Sequence, residues 1–432
     1  MRTVKKVERS IPQHLTISSS HPLNPSTPQP LNIYIHFPFC RSKCAYCALH
    51  SSVGRPPRDR QDYVARIVHD LEALFSHPQS PNPSLPHFST PPITQSPNIS
   101  TLYFGGGTPA LCVLQPILDF LSPYLNAQIP HPSPTPTPQL LNLPTPPEFT
   151  IELNPLDVTP NLLHQLKAGG VNRLSMGVQS FDDDVLRSMG RPHTAAQAHD
   201  AWKMIRDAGF DNAGIDLICG WPGERAVAIA DSWKRTLETT MGLAPDHCSV
   251  YTLILEPKTR LALDVERGRV QLPSDDIALS ELTAAERALA AIGLERYEIS
   301  SFAKPGKECR HNLATWRGED YIGIGDGACS REGNAVSRVI FRLRLLKEGF
   351  SPTKAAEDFP ELAPRVSEWC ATLDRYVAEG LLTSHPLTPS TPQPLNPSTA
   401  NPPILQSSNH PITYRLTPRG TEVCDTILAE LI

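Results

Sequence analysis

The sequence predicts an α/β fold built on a parallel sheet, followed by a smaller and mainly helical unit. Three observations lead there. Short apolar segments alternate with longer amphipathic ones six times over. Glycines and single polar residues gather directly after the apolar segments, and the proline-rich stretches that interrupt the pattern contain no glycine and no apolar periodicity. Repeated strand–helix alternation implies parallel strands joined by right-handed crossovers. In such sheets ligands sit at the carboxyl ends of the strands.

The strands are expected at 33–37 (IYIHF), 101–104 (TLYF), 149–153 (FTIEL), 173–178 (RLSMGV), 213–218 (AGIDLI) and 248–254 (CSVYTLI). Helical spacing of apolar residues falls between them at 60–75, 110–125, 160–168, 195–208 and 225–240. Beyond the sixth strand the pattern changes. A helix is expected over 276–292, a strand over 295–302, and helices over 338–348, 363–380 and 418–431, with a short strand Thr413-Tyr-Arg-Leu416. Helices followed by a small strand pair suggest a winged-helix-like unit from about 338 to 432. The division is therefore a tail over 1–32, an α/β unit over 33–330 and a C-terminal helical unit over 331–432.

Well over half of the 46 prolines lie in four segments, 19–31, 76–99, 130–147 and 384–412. These are rich in Ser, Thr, Asn and Pro, a composition that buries too little apolar surface to fold. They read as disordered, solvated insertions, the last forming an overlong wing between Leu382 and Tyr414. HPLNPSTPQPLN at 21–32 recurs at 385–396 with one change. It carries no apolar period that could stack on a neighbour, so it signals shared origin and not a structural repeat.

The 432 residues carry a net charge of −5, so no basic excess points to nucleic acid. No run of about 18 apolar residues predicts a membrane span, although peripheral membrane contact is left open. Ten cysteines without a disulfide-like framework, and a start (MRTVKKVERS) that leads into no apolar stretch of signal length, point to a cytoplasmic protein.

Cys40, Cys44 and Cys47 lie in Tyr34-Ile-His-Phe-Pro-Phe-Cys-Arg-Ser-Lys-Cys-Ala-Tyr-Cys47. C-x3-C-x2-C offers three thiolates from one tight loop. On a four-iron cluster three thiolates leave one iron open to a chelating small molecule. Structural zinc would call for a fourth ligand, for which His36 and His50 are the local candidates. Unligated core cysteines are the third alternative.

Gly105-Gly106-Gly107-Thr108-Pro109 leaves the second strand directly, and glycine there lets the backbone approach a ligand closely. It has neither dinucleotide-fold spacing nor the lysine of a phosphate-binding loop. Glu152, Gln179, Arg191 and Asp216 stand at or after successive strand ends, so all four face one space. A carboxylate can accept from a ribose hydroxyl or an ammonium group, and Arg191 offers a fork for a carboxylate. The set suits a ligand that joins a sugar to an amino acid, and S-adenosylmethionine is one.

The cysteine loop, GGGTP, Glu152-Leu-Asn-Pro155, Ser175-Met-Gly-Val-Gln-Ser-Phe181, Gly190-Arg-Pro-His193 and Asp216-Leu-Ile-Cys-Gly-Trp-Pro-Gly223 together resemble the radical S-adenosylmethionine proteins related to oxygen-independent coproporphyrinogen III oxidase. The resemblance covers about 31–330 and, more loosely, the tail. It implies an incomplete (β/α)6 barrel and a [4Fe-4S] cluster on Cys40, Cys44 and Cys47. S-adenosylmethionine would contact Tyr34, Gly106 and Glu152, and a second molecule, as in the oxidase, Tyr46, Gly107, Thr108, Gln179, Arg191 and Asp216.

Within that family the oxidase carries a further cysteine two residues after the triad, where this chain has Leu49. Glu308-Cys-Arg-His-Asn-Leu-Ala-Thr-Trp316 and the glycine loop Gly323-Ile-Gly-Asp-Gly-Ala-Cys329 resemble the heme-chaperone branch instead. Thr315 and Cys329 depart from that branch's Tyr and His, and the stretch after Ser330 is shorter. The resemblance implies His311, Asn312 and Trp316 as heme contacts and heme as cargo for apo-hemoproteins such as respiratory enzymes. Homodimerisation is left open. The alternative is an enzyme that decarboxylates porphyrinogen propionates. A third reading is a decaying copy.

Overall fold

The computed structural model describes residues 30–76, 98–126, 146–222, 226–331, 335–386 and 411–432. The bulk of all four proline-rich segments, and Gly223, lie outside them. Apart from a two-residue pair, Phe39–Cys40 and Ser52–Val53, the strands among the described residues are β1 (Leu31–Phe37), β2 (Ile99–Gly106), β3 (Glu148–Leu153), β4 (Arg173–Gln179), β5 (Ala213–Cys219), β6 (His247–Thr252), β7 (Glu295–Arg296), β8 (Ser301–Ala303), β9 (Tyr321–Ile324), β10 (Leu382–Pro386) and β11 (Ile412–Leu416).

One nine-stranded sheet runs in the order β9-β1-β2-β3-β4-β5-β6-β8-β7. The first six strands are parallel and spatially sequential, as the alternation requires. Three further strands enlarge it. β9, expected as a loop, pairs parallel to β1. The single strand expected over 295–302 is two strands, because Glu298 accepts from Ser300 N and turns the chain; β8 then runs antiparallel to β6. With β9 and β7 as free edges the sheet is a barrel left open.

Each inner strand alternates apolar and polar residues, and the alternation assigns the two faces. Ile33, Ile35, Phe37, Leu102, Phe104, Phe149, Ile151, Leu174, Met176, Ile215 and Val250 are all buried in one cluster with the surrounding helices. Burying each such side chain contributes about 1.5–3 kcal/mol. The intervening residues, Asn32, Tyr34, His36, Thr101, Tyr103, Glu148, Thr150, Glu152, Arg173, Ser175, Asp216, His247 and Ser249, form the concave face. A polar lumen inside an apolar wall places chemistry at the centre of the fold.

Helix boundaries follow local signals. The helix expected over 110–125 begins at Gln115, after a 3-10 turn Pro109–Leu111. Thr194 and Gln197 form a capping box that starts Ala195–Asp207. Short helices missed in the sequence, Asp183–Met189, Arg260–Glu266 and Pro352–Asp358, are each capped by a side chain, from Asp182, Thr259 and Ser351.

A second apolar cluster gathers Val339, Leu343, Phe350, Trp369, Leu373, Tyr414, Ile427 and Leu428. The helix expected over 338–348 is shorter, Ala335–Ile340 followed by a 3-10 turn Phe341–Arg344. β10 and β11 form an antiparallel wing from Leu382↔Leu416 to Pro386↔Ile412, so the ends of the expected insertion 384–412 are strand.

Candidate functional site

The first strand delivers the cysteines. Cys40 follows β1 in a two-residue strand, Phe39–Cys40, that pairs with Ser52–Val53 and closes the loop on itself. Ala45 N donates to Met189 O at 2.8 Å and Leu261 N to Ala45 O at 2.9 Å, which fixes the middle of the loop. Cys40, Cys44 and Cys47 are all half-buried. Burial raises the Cys40 thiol, while the Ser51 and Thr108 hydroxyls beside it act in the opposite sense. Among the described residues no three His, Cys, Asp or Glu side chains are drawn together as a closed single-metal site. Cys44 and Cys47 both act electrostatically on the Cys40 thiol, so the three neighbour one another, and three thiolates from one loop fit the donor set of a cluster with one open iron.

The proposed fourth ligands do not converge on it. His36 Nε2 lies 2.8 Å from the carbonyl of His50, which can only accept, so the other ring nitrogen, Nδ1, accepts from the Tyr34 hydroxyl at 3.1 Å. Both nitrogens of His36 are occupied, and burial holds it neutral. His50 is exposed, with its side chain against Gly327.

The glycine turn passes directly under this loop. Gly106 has φ +101°, and a Cβ there would lie 2.5 Å from the His36 ring. A Cβ on Gly107 would lie 2.5 Å from the Phe39 carbonyl and 3.0 Å from Cys40 Sγ. Side chains are excluded at both positions. Thr108 is buried and accepts from Asn154 Nδ2 at 2.7 Å.

Glu152 Oε1 accepts from the Tyr103 hydroxyl at 2.8 Å and Oε2 from Gly106 N at 3.1 Å. Burial pushes its carboxyl up to about 7, against the effect of the Tyr103 hydrogen bond. Asp216 accepts from Ser175 Oγ at 2.9 and 3.1 Å, and burial raises it as well, with the Ser249 and Ser175 hydroxyls acting against that. Gln179 takes φ +72° at a break in the β4–β5 register, a strained backbone for a side-chain-bearing residue. Arg191 Nη2 donates to Asn154 Oδ1 and to Gly177 O, each at 2.5 Å, and Nη1 lies 3.5 Å from Cys44 Sγ. Its Nε is buried without a hydrogen-bond partner among the described residues. Tyr46 packs edge-on against Trp221, with ring centroids 5.8 Å apart.

Tyr34, Tyr46, Gly106, Gly107, Thr108, Glu152, Gln179, Arg191 and Asp216 thus share one mouth with the three cysteines. Sequence reasoning missed Tyr103 and the Arg41–Asp157 pair at 2.6 Å, which ties the cysteine loop to the end of β3. Alternation along β2 through Thr101 and Gly105 points Tyr103 inward, a signal present in the sequence.

Of the heme candidates, His311 lies beneath this mouth, its ring centroid 6.3 Å from that of Tyr34 and 5.1 Å from that of Tyr103. The helix Arg310–Arg317 crosses the opposite end of the sheet, where Glu148 accepts from Arg310 N at 3.0 Å and His311 N at 3.1 Å. Thr101 Oγ1 donates to Asn32 Oδ1, so His311 Nδ1 carries the proton of its 2.8 Å bond to Thr101. The His311 ring is only 6% exposed and lies against Tyr103. Burial and the nearby Arg173 push it down to about 4. Trp316 faces away, with Arg344 over its ring at 4.4 Å and Phe341 at 6.1 Å. His311 and Trp316 therefore do not form one pocket, and Asn312 is half-buried between them in sequence.

Residues 94–231 match the radical SAM superfamily. The chain is 33% identical over 299 residues to the heme chaperone HemW of Bacillus subtilis (strain 168), covering 68% of this chain and 69% of that protein. It is 34% identical over 301 residues to HemW of Escherichia coli (strain K12), covering 69% of each. Similarity extends to the mitochondrial radical S-adenosyl methionine domain-containing protein 1 of Danio rerio, 29% identical over 308 residues, 71% of this chain and 62% of that one. Among solved structures, coproporphyrinogen III oxidase (HemN) from Escherichia coli, a radical SAM enzyme, superposes with a TM-score of 0.65 at 19% identity. The superposition covers 94% of this chain and 91% of that one, a likeness of fold.

Proposed function

We propose a function from one premise: the chain belongs to the HemW family of heme chaperones, within the radical SAM superfamily. It binds heme and hands it to apo-hemoproteins, such as respiratory enzymes, and it carries a [4Fe-4S] cluster and S-adenosylmethionine. One observation carries this: about a third of the residues are identical to HemW proteins across two thirds of both chains.

Cys40, Cys44 and Cys47 would hold the cluster, and Tyr34, Gly106 and Glu152 the S-adenosylmethionine beside it. When bound, the cluster supplies an electron-donating centre with one iron open to a chelating ligand. The chain's own residues orient what arrives. Tyr103 and Gly106 hold the Glu152 carboxyl across the mouth, where it can accept from an ammonium group. Arg191, held by Asn154 and the Gly177 carbonyl, sets a positive charge beside Cys44 where a ligand carboxylate would be attracted. Asp216, Gln179, Tyr46, Gly107 and Thr108 would serve a second molecule.

Transfer, and not turnover, is supported by Leu49, which is 53% exposed beside the triad where the oxidase loop has its further cysteine. His311 can keep its Nδ1 bond to Thr101 and still offer the unprotonated Nε2, so contact of heme with His311, Asn312 and Trp316 would require the packing around the buried ring to open. Among the described residues no helix is long and apolar enough to cross a membrane.

Anaerobic reconstitution followed by heme titration and an assay with coproporphyrinogen III tests the proposal. Iron–sulfur absorbance and stoichiometric heme binding without porphyrinogen turnover are expected. Turnover to protoporphyrinogen would replace it with the oxidase reading.

A further inference from the structure

Residues 154–157, where β3 ends, reach the cysteine loop from two sides. Asn154 and Asp157 flank Pro155, which opens a 3-10 turn Pro155–Asp157. Proline at that position costs no hydrogen bond and fixes the turn's entry. Asp157 N donates to Asn154 O at 2.9 Å, so the two side chains are set by one rigid turn.

Asp157 is buried, and its Oδ1 accepts from Arg41 Nε at 2.8 Å and Nη2 at 2.6 Å. Arg41 directly follows Cys40. Asn154 takes hold of two other partners. Its Nδ2 donates to Thr108 Oγ1 at 2.7 Å, and its Oδ1 accepts from Arg191 Nη2 at 2.5 Å. The same guanidinium presents Nη1 to Cys44 Sγ at 3.5 Å. A Cβ on Gly107, the residue before Thr108, would lie 3.0 Å from Cys40 Sγ, so Thr108 adjoins the Cys40 side chain. A path therefore runs from the residue beside Cys40 through Asn154 and Arg191 to Cys44, with a single amide at its midpoint.

We infer that Asn154 is a positioning residue that fixes the guanidinium donor facing Cys44 and the Thr108 side chain next to Cys40, while Asp157 anchors the loop that carries the cysteines. The inference rests on the reading that Cys40, Cys44 and Cys47 hold an iron–sulfur cluster. Groups outside the ligand set orient the ligands and tune a metal centre. Hydrogen bonds and positive charge near cluster sulfurs favour the reduced, more negative state and raise its potential. Both hydrogen bonds of Arg191 Nη2 go to Asn154 and to the Gly177 carbonyl, so loss of the amide leaves one anchor and lets the charge move from Cys44. An amide suits the midpoint because it donates and accepts at once.

The test uses the full chain reconstituted anaerobically, as wild type and as Asn154→Ala, Asn154→Asp and Asp157→Asn. Two readouts are iron release to a chelator and the midpoint potential from an EPR-monitored redox titration; circular dichroism and thermal melting report folding. Asn154→Ala is expected to release iron several-fold faster and to shift the potential downward. Asn154→Asp keeps the acceptor for Arg191, so it is expected to restore most of the iron retention, while its negative charge and its capture of the Thr108 proton leave the potential below wild type. Asp157→Asn is expected to speed iron release with the potential unchanged, since Arg41 does not face a thiol in this path. A folded Asn154→Ala with wild-type potential and iron retention overturns the role of Asn154. A wild type that assembles no cluster overturns the reading beneath it.

Discussion

Oε2 of Glu152 lies 3.1 Å from the backbone nitrogen of Gly106, so a carboxyl on β3 holds the glycine turn at the end of β2. The same carboxyl is pushed up to about 7 by burial. A charged Glu152 is therefore a cost to the empty protein and an asset once a cation arrives.

Glu152→Gln measures that cost. With a folded value near 7 against an ordinary 4.5, the native state holds a proton that the unfolded chain has released across this window. Its stabilising effect is full below 4.5 and is lost as pH rises through 7. Chemical denaturation of the ligand-free protein should find Glu152→Gln more stable than wild type at pH 8, by up to about 3 kcal/mol. The gap should close toward pH 5. Taking the difference between the two proteins removes the buried histidines His193 and His311, which burial pushes down to about 4 and which act in the opposite sense.

Glu148→Ala removes the acceptor for Arg310 N and His311 N, and it takes away a carboxylate near the fully buried Arg173. An uncompensated buried charge costs about 3–5 kcal/mol. Urea titration should register a loss of that order, and hydrogen exchange should quicken first at Arg310 and His311.

His311→Leu tests where heme binds. If the closed arrangement holds in solution, heme stoichiometry stays at the wild-type level. Stability falls by about 1–3 kcal/mol because the Thr101 hydroxyl loses a buried partner. Heme titration that drops to background in a folded variant would return His311 to the ligand set.

Trp369→Ala probes the second apolar cluster. Trp369 is fully buried and its Nε1 donates to Leu431 O at 2.9 Å. Truncation should cost about 3–5 kcal/mol. Iron–sulfur absorbance after reconstitution should persist in whatever fraction stays folded, because the cysteine loop packs through Ala45 and Tyr46 against Met189, Ile218, Trp221 and Leu261, apart from Trp369.

Much of the mouth was legible because strand direction is enough to place it. Parallel strands bring every residue at a carboxyl end to one side, so Cys40, Gly106, Glu152, Gln179 and Asp216 could be grouped without distances. Tyr103 and Asn32 needed only the period of two. The tail was less legible. His311 and Trp316 are five residues apart, which turns them about 140° from each other on a helix. Linear proximity suggested one pocket where the helix makes two faces. β9 was hidden by its glycine at 323, which reads as loop until β1 supplies a pairing edge.

The helix Arg310–Arg317 closes one end of the lumen, where Asn32, Thr101, Glu148, Arg173, His247 and Cys309 are all buried. The lumen is therefore a cup with a packed polar floor and not a through-channel, and a substitution in that floor acts on the wall of the fold before it acts on the cysteine loop.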